Sequence, residues 1–141
     1  MKSRIKWLEK RTFLGQSESG FTISLGTPYG EDGVSPGPSA MELVLMGTGG
    51  CAAWDVVNIL EKSREAIQDC IVELDPKRAE TAPMVVTKIH MHFIIIGSKL
   101  NKNKVARAIE LSADKYCSAS AMMAKTAEIT HNYEVIDRAV D

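Results

Sequence analysis

The sequence has little net charge and few cysteines, and both shortages exclude classes of function. Its 141 residues contain 17 Lys and Arg against 18 Asp and Glu, a formal net charge of -1. Proteins that bind nucleic acids or anionic membranes typically carry a basic surface, so neither partner is predicted. The three cysteines are widely spaced and form no CxxC pair, which argues against a disulfide framework or a zinc site. We therefore predict a protein of the reducing cytoplasm without a metal site.

The sequence predicts neither a secretory signal nor a membrane-spanning helix. Charged residues follow the basic start of the chain before any apolar stretch develops. The most apolar stretch, Leu43 to Leu60, contains Asp55 and Asn58 and is shorter than the ~20 apolar residues that a membrane-spanning helix needs. We interpret this stretch as a buried core helix.

Hydrophobic periodicity predicts an α+β fold of order βββ-α-ββ-α(α)-β, forming a single domain of residues 1–141. Period-2 alternation in the first 26 residues predicts a three-stranded meander. Ser39 and Glu42 fit a capping box, which predicts that a long helix begins at Ser39 and reaches Arg64. The later predicted elements are strands Gln68–Leu74 and Val85–Ile96, a helix from Asn101 or Asn103, a short helix Ser118–Thr126, and a strand through Ile129 and Val135.

The long helix is apolar on nearly every side. Asp55 is the only charged residue between Leu43 and Leu60. An ordinary surface helix has one apolar stripe, so this helix needs cover over most of its circumference. A chain of this length cannot easily provide that cover alone. We therefore predict a homodimer with the long helices at its centre.

The second helix is predicted to bury one face at the helical spacing of three and four. This spacing places Cys117 on the buried side. The predicted buried residues are Val105, Ala108, Ile109, Ser112, Ala113, Tyr116 and Cys117.

Two cysteine motifs resemble the signature of the OsmC/Ohr superfamily. The first is the run PSAMELVLMGTGGC from Pro38 to Cys51, in which a proline, an acidic residue and leucines lead through small residues to a cysteine. The second is Cys117 on a later helix, followed three residues on by Ser120. Both motifs occur in the family's order, and the order of strands and helices is similar across the chain. Within the superfamily the chain most resembles the YhfA-like branch.

The resemblance implies an intertwined homodimer with an active site at the subunit interface. In the family's peroxidases the first cysteine, as thiolate, attacks the O–O bond of an organic or inorganic hydroperoxide and becomes a sulfenic acid. The second cysteine resolves it to a disulfide. Carried over, Cys51 would be the peroxidatic thiol and Cys117 the resolving thiol. The expected reductant is an external dithiol, notably a lipoylated protein, and no bound cofactor is expected.

The residues that activate the thiol in the family are not all present. A buried thiol needs a neighbouring cation to form the thiolate, and the family's peroxidases supply an arginine held by a glutamate ten residues before the first cysteine. Met41 occupies that position, and Glu42 lies one residue along. No Lys or Arg lies between Arg11 and Lys62. Arg11 is the best remaining candidate for the activating cation and Lys10 is the second, and the alternative is that Arg11 is a solvated charge at a hairpin end. Glu42 is either the partner of Arg11 or only a capping residue.

Three functions are therefore compatible with the sequence. The first is thiol-dependent reduction of hydroperoxides through Cys51 and Cys117. The second is a non-catalytic small-molecule-binding or redox-sensing module that kept the fold and the thiols but lost the activating Glu and Arg. The third follows from a weaker resemblance to hot-dog thioesterases and would need Asp55, one turn past Cys51, as a carboxylate aimed at the substrate.

The other candidate side chains have simpler interpretations. Cys70 lies in a strand without a motif around it, so we interpret it as structural. His90 and His92 project from one strand face, but no third ligand lies at a useful spacing. They are interpreted as part of a polar sheet face.

Overall fold

The computed structural model describes residues 1–31 and 33–139 and consists of two compact units. The first unit is Met1–Leu45 and the second is Met46–Asp141, and the boundary falls within the long helix. The single domain of residues 1–141 stays a prediction. The elements are β1 (Ser3–Glu9), β2 (Thr12–Ser17), β3 (Thr22–Gly26), α1 (Ala40–Lys62), β4 (Ala66–Arg78), β5 (Val86–Ser98), α2 (Lys102–Leu111), a π-helical turn (Ser112–Tyr116), α3 (Ser118–Met123) and β6 (Glu128–Asp137).

The first unit contains the predicted three-stranded meander. β1 pairs antiparallel with β2, and β2 pairs antiparallel with β3, so that Trp7 lies opposite Phe13 and Phe13 lies opposite Leu25. Alternation of apolar and polar side chains along each strand produces this sheet. Several apolar side chains of the meander remain exposed, including Trp7 at 63% and Phe21 at 78%.

The second unit contains a sheet of order β4-β5-β6. β4 and β5 are antiparallel, whereas β5 and β6 are parallel and are connected through α2, the π-helical turn and α3. A parallel pair needs such a crossover connection. The order of predicted elements did not reveal this parallel pair, because strand direction depends on how the crossover packs.

The core of the second unit lies between this sheet and the helices. Alternate residues of β5 from Ile89 to Ile95 are buried, as expected for a strand with one face against the core. Helical residues at spacings of three and four supply the other side of the core. The buried apolar residues include Ile89, Met91, Phe93 and Ile95 from β5, Val56 and Leu60 from α1, and Val105, Ala108 and Ile109 from α2.

The predicted capping box at the start of α1 is confirmed. The backbone N–H of Ser39 donates to the Glu42 carboxylate at 2.7 Å, and the backbone N–H of Glu42 donates to the Ser39 hydroxyl at 3.3 Å. The helix ends at Lys62, slightly before the predicted end. Arg64 adopts a left-handed conformation with φ of 59°, a common way to terminate a helix.

Only part of the circumference of α1 is buried within one chain. The helix α1 is long and apolar enough to cross a membrane. Buried core helices often have the same length and composition, so these two properties do not distinguish the two cases. Met46 and Trp54 are 58% and 68% exposed on the uncovered side. The predicted homodimer would cover this side and stays a prediction. The buried residues of α1 are Thr48, Gly49, Ala52, Asp55, Val56 and Leu60.

The predicted face of the second helix is correct up to Ser112 and shifts after it. The backbone N–H of Cys117 donates to the carbonyl of Ser112 at 2.9 Å, closing an i to i+5 turn. The wider turn inserts one extra residue into the helical period. As a result Cys117 is buried, but Tyr116 is 50% exposed, so its predicted burial is wrong.

Candidate functional site

The structure brings Cys51, Asp55 and Cys117 together inside the second unit. The two Sγ atoms and a carboxylate oxygen of Asp55 all lie within 4.8 Å of one another. Cys51 and Asp55 are four residues apart on α1 and therefore share a face of the helix. Cys117 reaches the same place from the end of the π-helical turn. Cys51 is half-buried, whereas Asp55 and Cys117 are buried.

Cys117 is held at the start of α3 by hydrogen bonds to its sulfur. The backbone N–H of Ser120 donates to the Cys117 Sγ at 3.3 Å, and the thiol points at the carbonyl oxygen of Thr48 at 4.0 Å. Burial raises the pKa of the Cys117 thiol, and the hydrogen bonds from Ser120 offset part of that rise. The serine of the second motif therefore has a physical role, because it is a direct partner of the sulfur.

Ser112 contacts both Asp55 and Cys117. The sequence pattern did not indicate this role. Its hydroxyl lies 3.3 Å from the carbonyl oxygen of Ala52 and 3.3 Å from Oδ2 of Asp55. Ser112 is also the acceptor of the i to i+5 bond from Cys117. One residue thus orients the Asp55 carboxylate and shapes the turn that carries Cys117.

A cavity of about 240 Å³ adjoins this cluster within the second unit. Ser112 and Ser120, which bond to Asp55 and to Cys117 respectively, both line it. Its wall combines apolar and aromatic side chains with a few polar groups, as is usual for small-molecule sites. Met91, Phe93 and Ile129 are among the apolar lining residues, and Asp114 and His131 are among the polar ones.

Cys70 lies apart from the thiol pair on β4, opposite Ile95 of β5. Burial, with a smaller effect from the negative charge of Asp69, raises the pKa of the Cys70 thiol to about 11. A thiol with that pKa is almost entirely protonated at neutral pH and is a poor nucleophile. This environment fits the structural role predicted for Cys70.

Arg11 and Glu42 belong to the first unit, whereas both thiols belong to the second. The Arg11 guanidinium lies 5.6 Å from the centre of the Tyr29 ring, within cation–π distance. Glu42 is engaged in the capping box, and its hydrogen bonds with Ser39 lower the pKa of its carboxyl group. Their predicted roles in activating Cys51 stay predictions.

His90 and His92 lie on a polar face of the second sheet, as the sequence predicted. Both rings donate to the side-chain oxygen of Asn132, at 3.0 Å and 2.7 Å. The second nitrogen of His92 faces Glu134 at 3.4 Å. Hydrogen bonds to both nitrogens favour the doubly protonated ring, so Asn132 and then Glu134 raise the pKa of His92 above its ordinary value of 6.5.

We expect His92 to titrate above 6.5 in the folded protein, as measured by the pH dependence of its ring signals in NMR. Asn132→Ala should lower this pKa, since the Asn132 hydrogen bond contributes most. Because the folded value is raised, the stabilisation by His92 should be complete below 6.5 and lost as the pH rises through the folded value. A His92 pKa at or below 6.5 in the wild-type protein would contradict this interpretation.

We expect mild oxidation to form an internal disulfide between Cys51 and Cys117 and to leave Cys70 free. The two sulfurs lie within 4.8 Å, so bond formation needs a side-chain adjustment on the scale that disulfide geometry permits. Peptide mapping after oxidation by one equivalent of a disulfide reagent measures the pairing. A bridge that contains Cys70 would disprove it.

The chain is similar to known proteins over most of its length. The sequence profile of the family described as OsmC-like protein matches residues 30–132. Protein YhfA of Escherichia coli strain K12 is 48% identical over 136 residues, covering 96% of this chain and 98% of YhfA.

Two solved structures extend the comparison. A hypothetical protein from Aquifex aeolicus is 29% identical and superposes with a TM-score of 0.83, covering 98% of this chain and 97% of the other. The organic hydroperoxide resistance protein OhrB of Bacillus subtilis is 11% identical with a TM-score of 0.64, covering 95% and 98%. The second likeness shows a shared fold only.

Proposed function

Because this chain belongs to the OsmC-like protein family, we propose that it reduces hydroperoxides through the thiols of Cys51 and Cys117. The observation that carries the proposal is the meeting of these two sulfurs within 4.8 Å, beside a cavity lined mainly by apolar side chains. OhrB, which shares the fold, is named as an organic hydroperoxide resistance protein. The expected substrates are organic or inorganic hydroperoxides.

The proposed reaction has three steps. The Cys51 thiolate attacks one oxygen of the O–O bond, forming a sulfenic acid and releasing an alcohol, or water from hydrogen peroxide. The Cys117 sulfur then attacks the Cys51 sulfur, forming the S–S bond and releasing water. An external dithiol, of which a lipoyl group is the proposed example, exchanges with this disulfide and restores both thiols.

The environments of the two thiols favour this order of events. Cys51 is half-buried, whereas Cys117 is 2% exposed and burial raises its pKa. An enclosed thiol of raised pKa reacts poorly with a peroxide from solvent, but Cys117 lies close enough to Cys51 to attack a sulfenic acid formed there. The assignment of Cys51 as the first nucleophile rests on this difference.

The assembly and location of the protein are also proposals. We propose a homodimer, because the uncovered side of α1 exposes Met46 and Trp54 and the meander exposes Trp7 and Phe21. Burial of such apolar surface is the main driving force for association. A cytoplasmic location agrees with three free cysteines.

A redox-sensing or small-molecule-binding module is the second candidate. Met41 replaces the glutamate that family peroxidases use, and Glu42 is already engaged by Ser39. This arrangement favours a protein whose Cys51 and Cys117 bond reversibly without fast turnover. Rapid peroxide turnover with a dithiol would exclude this candidate.

The direct experiment is the loss of thiols on adding one equivalent of organic hydroperoxide to the reduced protein in a chelating buffer. Two thiols per chain should disappear in the wild type and in Cys70→Ser, the matched control, and none in Cys51→Ser. Arg11→Gln should slow the reaction by roughly ten-fold if this cation stabilises the thiolate, with Arg4→Gln in β1 as its control. Wild-type protein that keeps all its thiols would disprove the enzymatic function.

A further inference from the structure

Asp55 has no part in the proposed peroxide reaction, yet it lies within the thiol cluster. Its carboxylate oxygen is within 4.8 Å of both Sγ atoms, and the residue is only 7% exposed. An ionised carboxylate beside a thiol disfavours the thiolate through charge repulsion. The Asp55 carboxylate therefore does not activate Cys51. The position of Asp55 next to two thiols needs another explanation.

The Asp55 carboxylate is buried, and within the described part of the second unit, residues 46–139, it has no charged partner. Its hydrogen bond comes from the neutral hydroxyl of Ser112, at 3.3 Å, and no ion pair formed among residues 46–139 includes it. Burying a carboxylate is costly unless an opposite charge or a metal ion compensates it. A cation placed between the three donor atoms would supply that compensation.

We infer that Cys51, Asp55 and Cys117 form a binding site for a thiophilic divalent cation of the zinc class. Two sulfurs and one carboxylate oxygen are ligands that Zn²⁺ accepts, and a site with three protein ligands keeps a fourth position for water or another small ligand. Two thiolates and one carboxylate carry three negative charges, which the +2 ion largely balances.

The dimensions of the cluster suit such an ion. With Zn–S bonds of ~2.3 Å and a Zn–O bond of ~2.0 Å, neighbouring donor atoms of a tetrahedral site are ~3.5–3.8 Å apart. The three donor atoms of the cluster lie within 4.8 Å of one another, so small side-chain rotations bring them to these separations. Thiol side chains with one rotatable bond to the sulfur make such adjustments easily.

Hydrogen bonds around the cluster hold its three donor side chains in place, as they do around metal ligands. Ser112 donates to Oδ2 of Asp55, the kind of outer hydrogen bond that orients a metal ligand. The N–H of Ser120 donates to the Cys117 sulfur, which stabilises a thiolate whether a metal is bound or not. Cys51 and Asp55 are fixed on one face of α1, and the i to i+5 bond between Cys117 and Ser112 holds the third ligand.

Binding is a ligand exchange without a change of oxidation state. The ion forms two metal–sulfur bonds and one metal–oxygen bond, and the two S–H protons pass to solvent. Because the ion holds both thiols, it should protect them from alkylation and from peroxide. The inference does not depend on peroxidase activity, since the thiol assay in a chelating buffer and a metal titration can fail independently.

The test is a titration of the reduced, chelator-treated full chain with Co²⁺, followed by displacement with Zn²⁺. One Co²⁺ per chain should bind with a thiolate-to-cobalt charge-transfer band and tetrahedral d–d bands, and about two protons should be released. Cys51→Ser and Cys117→Ser should weaken or remove the charge-transfer band. Cys70→Ser, the matched control, should bind like the wild type.

The carboxylate is tested by Asp55→Asn, which keeps the size of the side chain and removes its charge. Its affinity for Zn²⁺ should fall at least ~10-fold, and Ser112→Ala, an independent variant, should weaken binding by ~10–100-fold by releasing the carboxylate. Circular dichroism verifies that each variant is folded. Absence of a charge-transfer band in the wild type, or unchanged Zn²⁺ affinity in a folded Asp55→Asn or Ser112→Ala protein, would overturn the inference.

Discussion

A Cys117→Ser variant is expected to consume one equivalent of peroxide per chain and then stop. The Cys51 sulfur can still attack the O–O bond, but no second sulfur lies beside it to displace the hydroxyl of the sulfenic acid. Cys70 cannot replace Cys117, because it lies on β4 and its thiol pKa is raised to about 11. Catalytic turnover with a lipoyl dithiol should therefore be lost.

The measurement compares peroxide consumption in the first turnover with consumption at steady state. Mass spectrometry of Cys117→Ser after one equivalent should find Cys51 carrying one extra oxygen or the adduct of a sulfenic-acid trap. Cys70→Ser is the matched control and should turn over like the wild type. Sustained turnover in Cys117→Ser at the wild-type rate would show that Cys117 is not the resolving thiol.

Replacing Leu60 by Ala is expected to lower the free energy of unfolding by ~2–5 kcal/mol. Leu60 is fully buried near the end of α1, in the core that α1 and β5 share within the second unit. Truncation removes buried methyl groups and leaves a cavity that the surrounding side chains fill only in part. Urea denaturation at fixed protein concentration measures the change.

Ile136→Ala is the matched control for this stability measurement. Ile136 is an aliphatic side chain of similar size in β6 but is 42% exposed. Its truncation should change the free energy of unfolding by much less than that of Leu60, because most surface substitutions have effects within ~0.5 kcal/mol. Equal losses in the two variants would contradict the assignment of Leu60 to the core.

The elements of the fold were predictable from the sequence because each has a local cause. Period-2 alternation indicated the meander, and the side chains of Ser39 and Glu42 specified where α1 begins. The two cysteine motifs indicated the family and the pairing of Cys51 with Cys117, and the two sulfurs do lie together. The elements depend on neighbours within a few residues, whereas the pairing of the two distant cysteines was implied by the family resemblance.

Other features depend on how distant segments pack and had no local signal. A single hydrogen bond between Cys117 and Ser112 widens the second helix, which exposes Tyr116 and turns the Cys117 sulfur towards α1. The parallel pairing of β5 with β6 follows from the packing of the crossover helices.

The sequence by itself therefore indicated which two thiols lie together, and the tertiary structure alone decided what surrounds them. The sequence placed Asp55 one turn past Cys51 but did not show its other neighbours, because Ser112 and Cys117 lie more than fifty residues away along the chain. In the folded protein its carboxylate lies beside two sulfurs and accepts a hydrogen bond from the hydroxyl of Ser112. Electrostatic environment depends on distances through space, so it could not be inferred from spacing along the chain.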